Sequence, residues 1–303
     1  VIIEFLKLIR PKQWIKNFFI FAALVFSKHL FEMDYLSKTF VAFLAFCLVS
    51  GSVYILNDIL DVEADRLHPE KRYRPIASGK VKPHQALVFF VVLIALVILL
   101  SMNLPRRFQV ILLIYFIINI AYSWKLKEII ILDVFVIATG FMLRVLAGAY
   151  VIHVPVSSWM ILCTIFISLF LGFSKRRGEI IVMQNSNSEP GRKVLSEYSL
   201  EFIDQMITVV TSGTVISYAL YTVSERTKEI FHTENLIYTT VFVIFGIFRY
   251  LYLMYKKNLG ESPTYIVTTD LPMIINIVLW MASCVAIIYK RDILTYLHLS
   301  SIL

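Results

Sequence analysis

The sequence is poor in cysteine: Cys47, Cys163 and Cys284 are the three in 303 residues, each inside an apolar run and none in a CxxC spacing. That excludes a disulfide framework and leaves buried small hydrophobes as the reading of all three. No pair of histidine and cysteine has ligand spacing, and neither a GxSxG elbow nor a Walker glycine loop occurs. Zinc chemistry, a serine-nucleophile hydrolase and a P-loop nucleotidase therefore have no support. His68, His84 and His153 read as turn or interface residues. A soluble domain and a low-complexity segment are both missing. Val1–Asn17 lacks a small-residue cleavage site and carries Lys7, Arg10, Lys12 and Lys16 along its length, so a cytoplasmic anchor is expected there and not a cleavable signal.

What is abundant is apolar surface. The chain is 58% hydrophobic and 14% aromatic, with a mean hydropathy of +0.75, which is the composition of a polytopic membrane protein. Since about 20 apolar residues span a bilayer, nine spans are predicted in one integral membrane domain covering 1–303. They lie at 13–31, 38–57, 84–102, 108–124, 130–151, 157–173, 203–222, 236–255 and 271–289. The first is the weakest, because Lys16 and Lys28 bracket a short apolar core. Arg144 and Arg249 fall inside spans; Arg249, near a span end, is expected to snorkel, and Arg144, deeper, to have a buried partner.

Orientation follows from basic residues. Placing the N-terminus in the cytoplasm collects the lysines and arginines of 58–83, 125–127, 174–201 and 256–257 on that side. It leaves Lys28, Lys38, Arg106, Arg107, Arg226, Lys228, Lys290 and Arg291 outside. The positive-inside rule thus predicts N-in, C-out. The net charge of +8 then faces the anionic inner leaflet and anionic substrates, with no call on nucleic acid.

The chemistry-bearing stretch runs from Gly51 to Gly79. Asn57, Asp58, Asp61 and Asp65 lie where an apolar run gives way to charge, and Asp58, Asp61 and Asp65 at i, i+3 and i+7 would share one stripe of a continuous helix. Stacked carboxylates repel, so a divalent cation is expected between them, and hard oxygen ligands with room for phosphate suit Mg²⁺. The alternative is a solvated helix end whose acids pair with Arg66, Lys71, Arg72 and Arg74. A second cluster, Lys175, Arg176, Arg177 and Glu179, is placed at the end of span six. Three cations there suit a phosphate, or else they only complement a helix C-terminus and anchor the topology. A third, Tyr122, Lys125 and Lys127, joins spans four and five and is followed by Asp133 just inside the membrane, where an ionisable group is functional by default. The polar run 185–192 reads as a linker or a lid. Under the predicted topology all three clusters come to the cytoplasmic face, as a site for Mg²⁺-diphosphate and further phosphate.

Asn57-Asp58-x-x-Asp61-x-x-x-Asp65 resembles the first aspartate motif of the UbiA superfamily of intramembrane prenyltransferases. The resemblance implies an all-α bundle of nine transmembrane helices with a cytoplasm-facing site. Most members carry a second aspartate-rich motif after the sixth helix, where this sequence has Lys175-Arg-Arg-Gly-Glu179. Several further stretches are similar to the decaprenyl-phosphate phosphoribosyltransferase branch: Arg10-Pro-Lys-Gln-Trp14-x-Lys16-Asn17, Gly51-Ser-Val-Tyr54, Asp61-x-Glu63-x-Asp65-Arg66-x-His68-Pro69-x-Lys71-Arg72-x-Arg74-Pro75, and Tyr122-Ser. That branch implies transfer of 5-phosphoribose from phosphoribosyl diphosphate (PRPP) to a polyprenyl phosphate, with Mg²⁺, in a bacterial-type cytoplasmic membrane, at the start of lipid-linked pentose supply for cell-wall arabinan. On this reading Asn57, Asp58 and Asp61 are catalytic and Asp58, Asp61 and Asp65 hold metal. Lys16, Arg66, Lys71, Arg72, Arg74, Tyr122, Lys125, Lys127, Asp133, Lys175, Arg176, Arg177 and Glu179 bind substrate. A homo-oligomer is compatible with the sequence. The competing enzyme is a prenyltransferase using a prenyl diphosphate and an aromatic or glycerol-type acceptor. A lipid or anion transporter is the non-enzyme alternative, opposed by the small number of polar residues deep in the spans.

Overall fold

The computed structural model describes residues 2–67, 71–186, 193–257, 259–260 and 262–296. His68 and Pro69 of the first charged loop, and 187–192 of the polar run, lie outside the described residues. All regular structure among the described residues is helical. In chain order the α-helices are α1 Ile2–Leu8, α2 Phe21–Val25, α3 Met33–Leu60, α4 Val62–Leu67, α5 Pro83–Ser101, α6 Arg106–Trp124 and α7 Leu132–Val151. They continue with α8 Ser158–Ser186, α9 Leu200–Val223, α10 Glu225–Phe231, α11 Thr240–Lys257, α12 Pro263–Thr269, α13 Leu271–Ile288 and α14 Lys290–Tyr296. Among the described residues, eight stretches are long and apolar enough to cross a membrane, based on α3, α5, α6, α7, α8, α9, α11 and α13. They match the predicted spans two to nine. The predicted first span, 13–31, is instead a 3₁₀ helix, Pro11–Ile20, followed by the five-residue α2.

The outer faces of these helices are apolar. On α5, Leu87, Val88, Val91, Ile98 and Leu99 are more than half exposed, while Ala86, Leu93 and Val97 are buried. Large aliphatic side chains turned outward along a 19-residue helix suit hydrocarbon as the solvent.

The chain divides into two compact units. The first comprises Val1–Leu24, Glu32–Leu126 and Leu143–Pro155. In it α5, α6 and the 3₁₀ helix all pack on α3. Leu8, Ile9, Ile55, Ile76, Val81 and Leu93 form a core that ties α1 and the 71–82 turn to α3 and α5. Gly148 permits a close approach, since a Cβ there would lie 1.9 Å from the Ile20 carbonyl oxygen. Near it Arg144, buried as expected, donates through Nε to Asn17 Oδ1 (2.7 Å) and through Nη2 to Tyr115 Oη (2.9 Å).

The second unit comprises Val25–Phe31, Lys127–Met142 and Val156–Leu303. Here α8 packs along α9, and α11 along α13. Arg249, near a span end, makes a two-pronged pair with Asp270, Nε to Oδ1 at 3.0 Å and Nη2 to Oδ2 at 2.8 Å. Asp270 also caps α13 by accepting from the Met273 amide. One carboxylate thus fastens the start of α13 to α11.

Candidate active site

In the first unit the aspartate motif is bent. Helix α3 stops at Leu60, Asp61 takes φ −95°, ψ 11°, and α4 begins at Val62, so the expected uninterrupted stripe breaks at its middle residue. Asp58 and Asp65 are nevertheless brought together, because the Nη1 of Arg74 donates to Asp58 Oδ1 at 3.1 Å and to Asp65 Oδ2 at 2.6 Å. Asp61 is half-buried and outside that bridge. Arg74 is placed by the 71–82 turn. Ile76 and Val81, each 1% exposed, sink into the core, and Gly79 at φ 77° supplies the left-handed step between them.

A second guanidinium reaches the same carboxylate. Arg10 Nη2 donates to Asp58 Oδ1 at 2.5 Å, and its Cζ lies 4.8 Å from the centroid of the Tyr54 ring. Arg10 sits at φ 49°, ψ 65° immediately before Pro11. A non-glycine residue rarely occupies that region, and the residue before proline is normally extended, so this backbone is strained by about 1–3 kcal/mol. Burial of Leu8 and Ile9, and a bond from Trp14 Nε1 to the Ile9 carbonyl, hold the chain in this turn. Arg10 lies in a stretch that carries the family resemblance but is not among the site residues that the resemblance implies. Its one local signal is a cation before proline at the head of a short helix.

The charged pairing expected between this motif and the loop cations is present for Arg74 alone among those whose bonds are described. Arg66 donates to the Ala77 carbonyl, and Arg72 to Tyr73 Oη, with both arginines on the surface. Lys71 is half-buried. Lys16 is half-buried and feels the charges of Arg10 and Arg144. Tyr122 is half-buried on α6 and Lys125 is exposed at its end.

The donor set fits a hard divalent cation. Among the described residues no three His, Cys, Asp or Glu side chains form a ready cage. Mg²⁺ does not need one, because it is commonly held by one or two carboxylates together with substrate phosphates. The telling atom is Asn57 Oδ1, which is buried with no hydrogen-bond partner, next in sequence to Asp58. A buried amide oxygen without a donor is costly unless something positive meets it.

In the second unit the basic cluster differs from expectation. Helix α8 runs on to Ser186, so Lys175, Arg176, Arg177 and Glu179 lie within the helix and more than a turn from its end. Complementing a helix C-terminus is therefore excluded as their role. Arg176 is 0% exposed, with Nε donating to Asp133 Oδ2 at 2.5 Å and Nη1 paired with Glu179. Asp133 is equally buried and also accepts from Tyr198 Oη at 2.7 Å. That phenol in turn accepts from the Ile131 amide at 2.7 Å, where Ile131 has the strained φ of 67°. Burial first, and then the bond to Asp133, hold the Tyr198 hydroxyl protonated well above its ordinary range, so it stays a donor. Tyr198 was missed by sequence reasoning, since its partners are 65 and 67 residues away.

Arg177 has partners of its own. Its Nε donates to Asp204 at 2.8 Å, and its guanidinium lies 4.2 Å from the centroid of the Tyr255 ring. Lys175, 39% exposed and 3.8 Å from Glu179, is the member of the cluster most open to solvent. Lys127 is half-buried in a short 3₁₀ turn before α7.

Residues 17–175 match the UbiA prenyltransferase family. The sequence is 34% identical over 223 residues to a decaprenyl-phosphate phosphoribosyltransferase of Mycolicibacterium smegmatis, covering 72% of this chain and 70% of that one. It is 33% identical over 219 residues to the decaprenyl-phosphate phosphoribosyltransferase of Mycobacterium tuberculosis strain H37Rv, covering 71% of this chain and 72% of that one. The fold is similar to the solved structure of a UbiA homolog from Archaeoglobus fulgidus bound to DMAPP and Mg²⁺. That match has a TM-score of 0.70 and 20% identity, over 94% of this chain and 99% of that one.

Proposed function

Because the chain belongs to the UbiA prenyltransferase family, we propose that it transfers 5-phosphoribose from PRPP to a polyprenyl phosphate and releases diphosphate. The observation that carries this donor, against the prenyl diphosphate used by other intramembrane transferases, is the 34% identity over 72% of the chain to a relative named for that reaction. The charge pattern supports it. The region from Arg10 to Arg74 offers an Asn57–Asp58–Asp65 oxygen set beside Arg10, Lys16 and Arg74, which suits a donor with a diphosphate and a separate 5-phosphate.

In the reaction an oxygen of the lipid phosphate bonds to ribose C1 as the bond from C1 to the diphosphate oxygen breaks, and diphosphate leaves with the electron pair. Bound Mg²⁺ would neutralise the charge that develops on the departing oxygens, held by Asp58, Asp65 and the Asn57 amide oxygen, with Asp61 at the bend within the same motif. Arg10 and Arg74 grip donor phosphate oxygens, and Lys16 lowers the cost of bringing a second anion near. The acceptor oxygen is already anionic, so no side chain is assigned as base. Arg176 and Asp133 act as a fixed internal pair, which leaves Lys175 as that cluster's best candidate for contact with phosphate.

The site is assigned to the cytoplasmic face of a bacterial-type cytoplasmic membrane, N-in and C-out, in one integral membrane domain. For the ninth crossing, residues 11–25 suffice despite their number. Ten residues of 3₁₀ helix rise about 20 Å and five of α-helix about 7 Å, which end to end approaches the ~30 Å hydrocarbon core.

The test is to incubate the purified chain with PRPP labelled in the ribose and with polyprenyl phosphate, with and without Mg²⁺. Label should pass to the organic phase, with one diphosphate released per transfer, and EDTA should abolish both. Transfer of a prenyl group from a prenyl diphosphate to an aromatic or glycerol-type acceptor with release of diphosphate, with PRPP inert, would replace the proposal by the prenyltransferase reading.

A further inference from the structure

Resting on that reading, we propose that Arg10 and Arg74 are exchange residues. They hold Asp58 and Asp65 until a polyphosphate arrives, then pass to its oxygens and release the carboxylates, so a divalent cation binds tightly only together with the anion.

Three observations carry this. The carboxylates are already spoken for: Asp58 Oδ1 accepts from Arg10 at 2.5 Å and Arg74 at 3.1 Å, and Asp65 from Arg74 at 2.6 Å. A cation arriving alone must break charge-assisted bonds, each worth roughly 10- to 150-fold in an equilibrium, and must lose water that Mg²⁺ gives up reluctantly. The layering favours an anion as the first visitor. Arg10 and Arg74 are 28% and 27% exposed, whereas the two acids are 2% and 5% exposed, so solvent meets guanidinium before carboxylate. Finally, the buried Asn57 Oδ1 has no donor while the arginines serve its neighbour. Once the guanidinium groups turn to phosphate, the two carboxylates that they held together become free to meet a hard cation. The strained turn at Arg10 is held in part by its contacts to Asp58 and Tyr54, and a phosphate can substitute for the first of these.

Cooperativity of this kind is reciprocal, so the metal must strengthen anion binding by the factor by which the anion strengthens metal binding. Equilibrium dialysis of the purified full chain against Mn²⁺, compared at equal free Mn²⁺ with and without inorganic diphosphate or PRPP, reads it without turnover. The wild type should retain Mn²⁺ at least about tenfold more tightly with the anion. Arg10→Gln and Arg74→Gln should bind Mn²⁺ alone about tenfold or more tighter than wild type and lose most of the coupling. Equal Mn²⁺ affinity of the wild type with and without either anion refutes the exchange, and needs no variant to fold. Unchanged Mn²⁺-alone affinity in both well-folded glutamine variants refutes it as well. Coupling to geranyl diphosphate but not to PRPP would keep the exchange and overturn the donor assignment. PRPP turnover without coupling would do the reverse.

Discussion

Replacing Arg176 by methionine should damage the fold before it damages substrate binding. Arg176 and Asp133 are both 0% exposed and are joined at 2.5 Å, and the second guanidinium nitrogen is committed to Glu179. Removing the cation strands a fully buried carboxylate, which typically costs about 3–5 kcal/mol. Glu179 is 18% exposed and has Lys175 within reach, so its share of the loss is small. Adding Asp133→Leu removes the stranded charge. What then remains is mainly the lost acceptor of the Tyr198 hydroxyl, about 1–3 kcal/mol, and that phenol still accepts from the Ile131 amide. The double variant should therefore recover a large part of the loss. Unfolding in detergent, followed without Mg²⁺ or PRPP so that ligand binding does not contribute, compares the four proteins. If Arg176→Met unfolds like wild type and only its KM for PRPP rises, Arg176 is a ligand cation and the internal pair is refuted.

Asp58→Asn should lower turnover by about 10²–10³, the usual scale for losing one electrostatic contact in a transition state, with little change in unfolding because the partly exposed Arg10 and Arg74 can be solvated; wild-type rates at limiting Mg²⁺ would remove it from the site. Asp270→Ala should destabilise by about 1–2 kcal/mol, and Asp270→Asn by less, because asparagine keeps the cap on Met273 and loses the pair with Arg249; equal losses in a denaturation series would deny the cap. The hydrogen bond from Arg249 holds the Asp270 carboxyl below the usual aspartate value of 3.8. A depressed value makes this contribution full above 3.8 and lost as pH falls through the lower, folded value, so Asp270→Asn should flatten the acid limb of the unfolding curve. For the crossing at 11–25, a membrane-impermeant thiol reagent applied to intact cells should label Glu32→Cys and spare Lys12→Cys, whereas equal labelling would put both positions on one side.

Much of the architecture is legible in hydropathy, since the eight long apolar stretches recur as helices at nearly the predicted places. The 3₁₀ segment is not, because ten residues of Pro11–Ile20 cannot distinguish a period of 3.0 from 3.6. Hydropathy ends span six near residue 173, yet α8 continues to Ser186. Lysine, arginine, glutamate, methionine and glutamine are good helix formers, and Glu179 pairs with Arg176 and Lys175 at the spacings that stabilise a helix. The carboxylate motif is visible as spacing, whereas its occupancy by Arg10 is not, because the two residues are 48 apart and meet through a strained turn. Composition likewise shows three cations at 175–177 without showing that one is sealed against Asp133 and another paired with Asp204. Whether a charge is an open ligand or an internal strut depends on burial, which long-range packing decides.

Donor choice is the most direct measurement of the central claim. The purified chain, supplied with polyprenyl phosphate, Mg²⁺ and equal concentrations of PRPP and geranylgeranyl diphosphate, should yield a single lipid product. Mass spectrometry should find it heavier than the acceptor by one phosphoribosyl unit, with the 5-phosphate retained. A product heavier by a prenyl group, or prenyl diphosphate consumed while PRPP is left intact, would contradict the account.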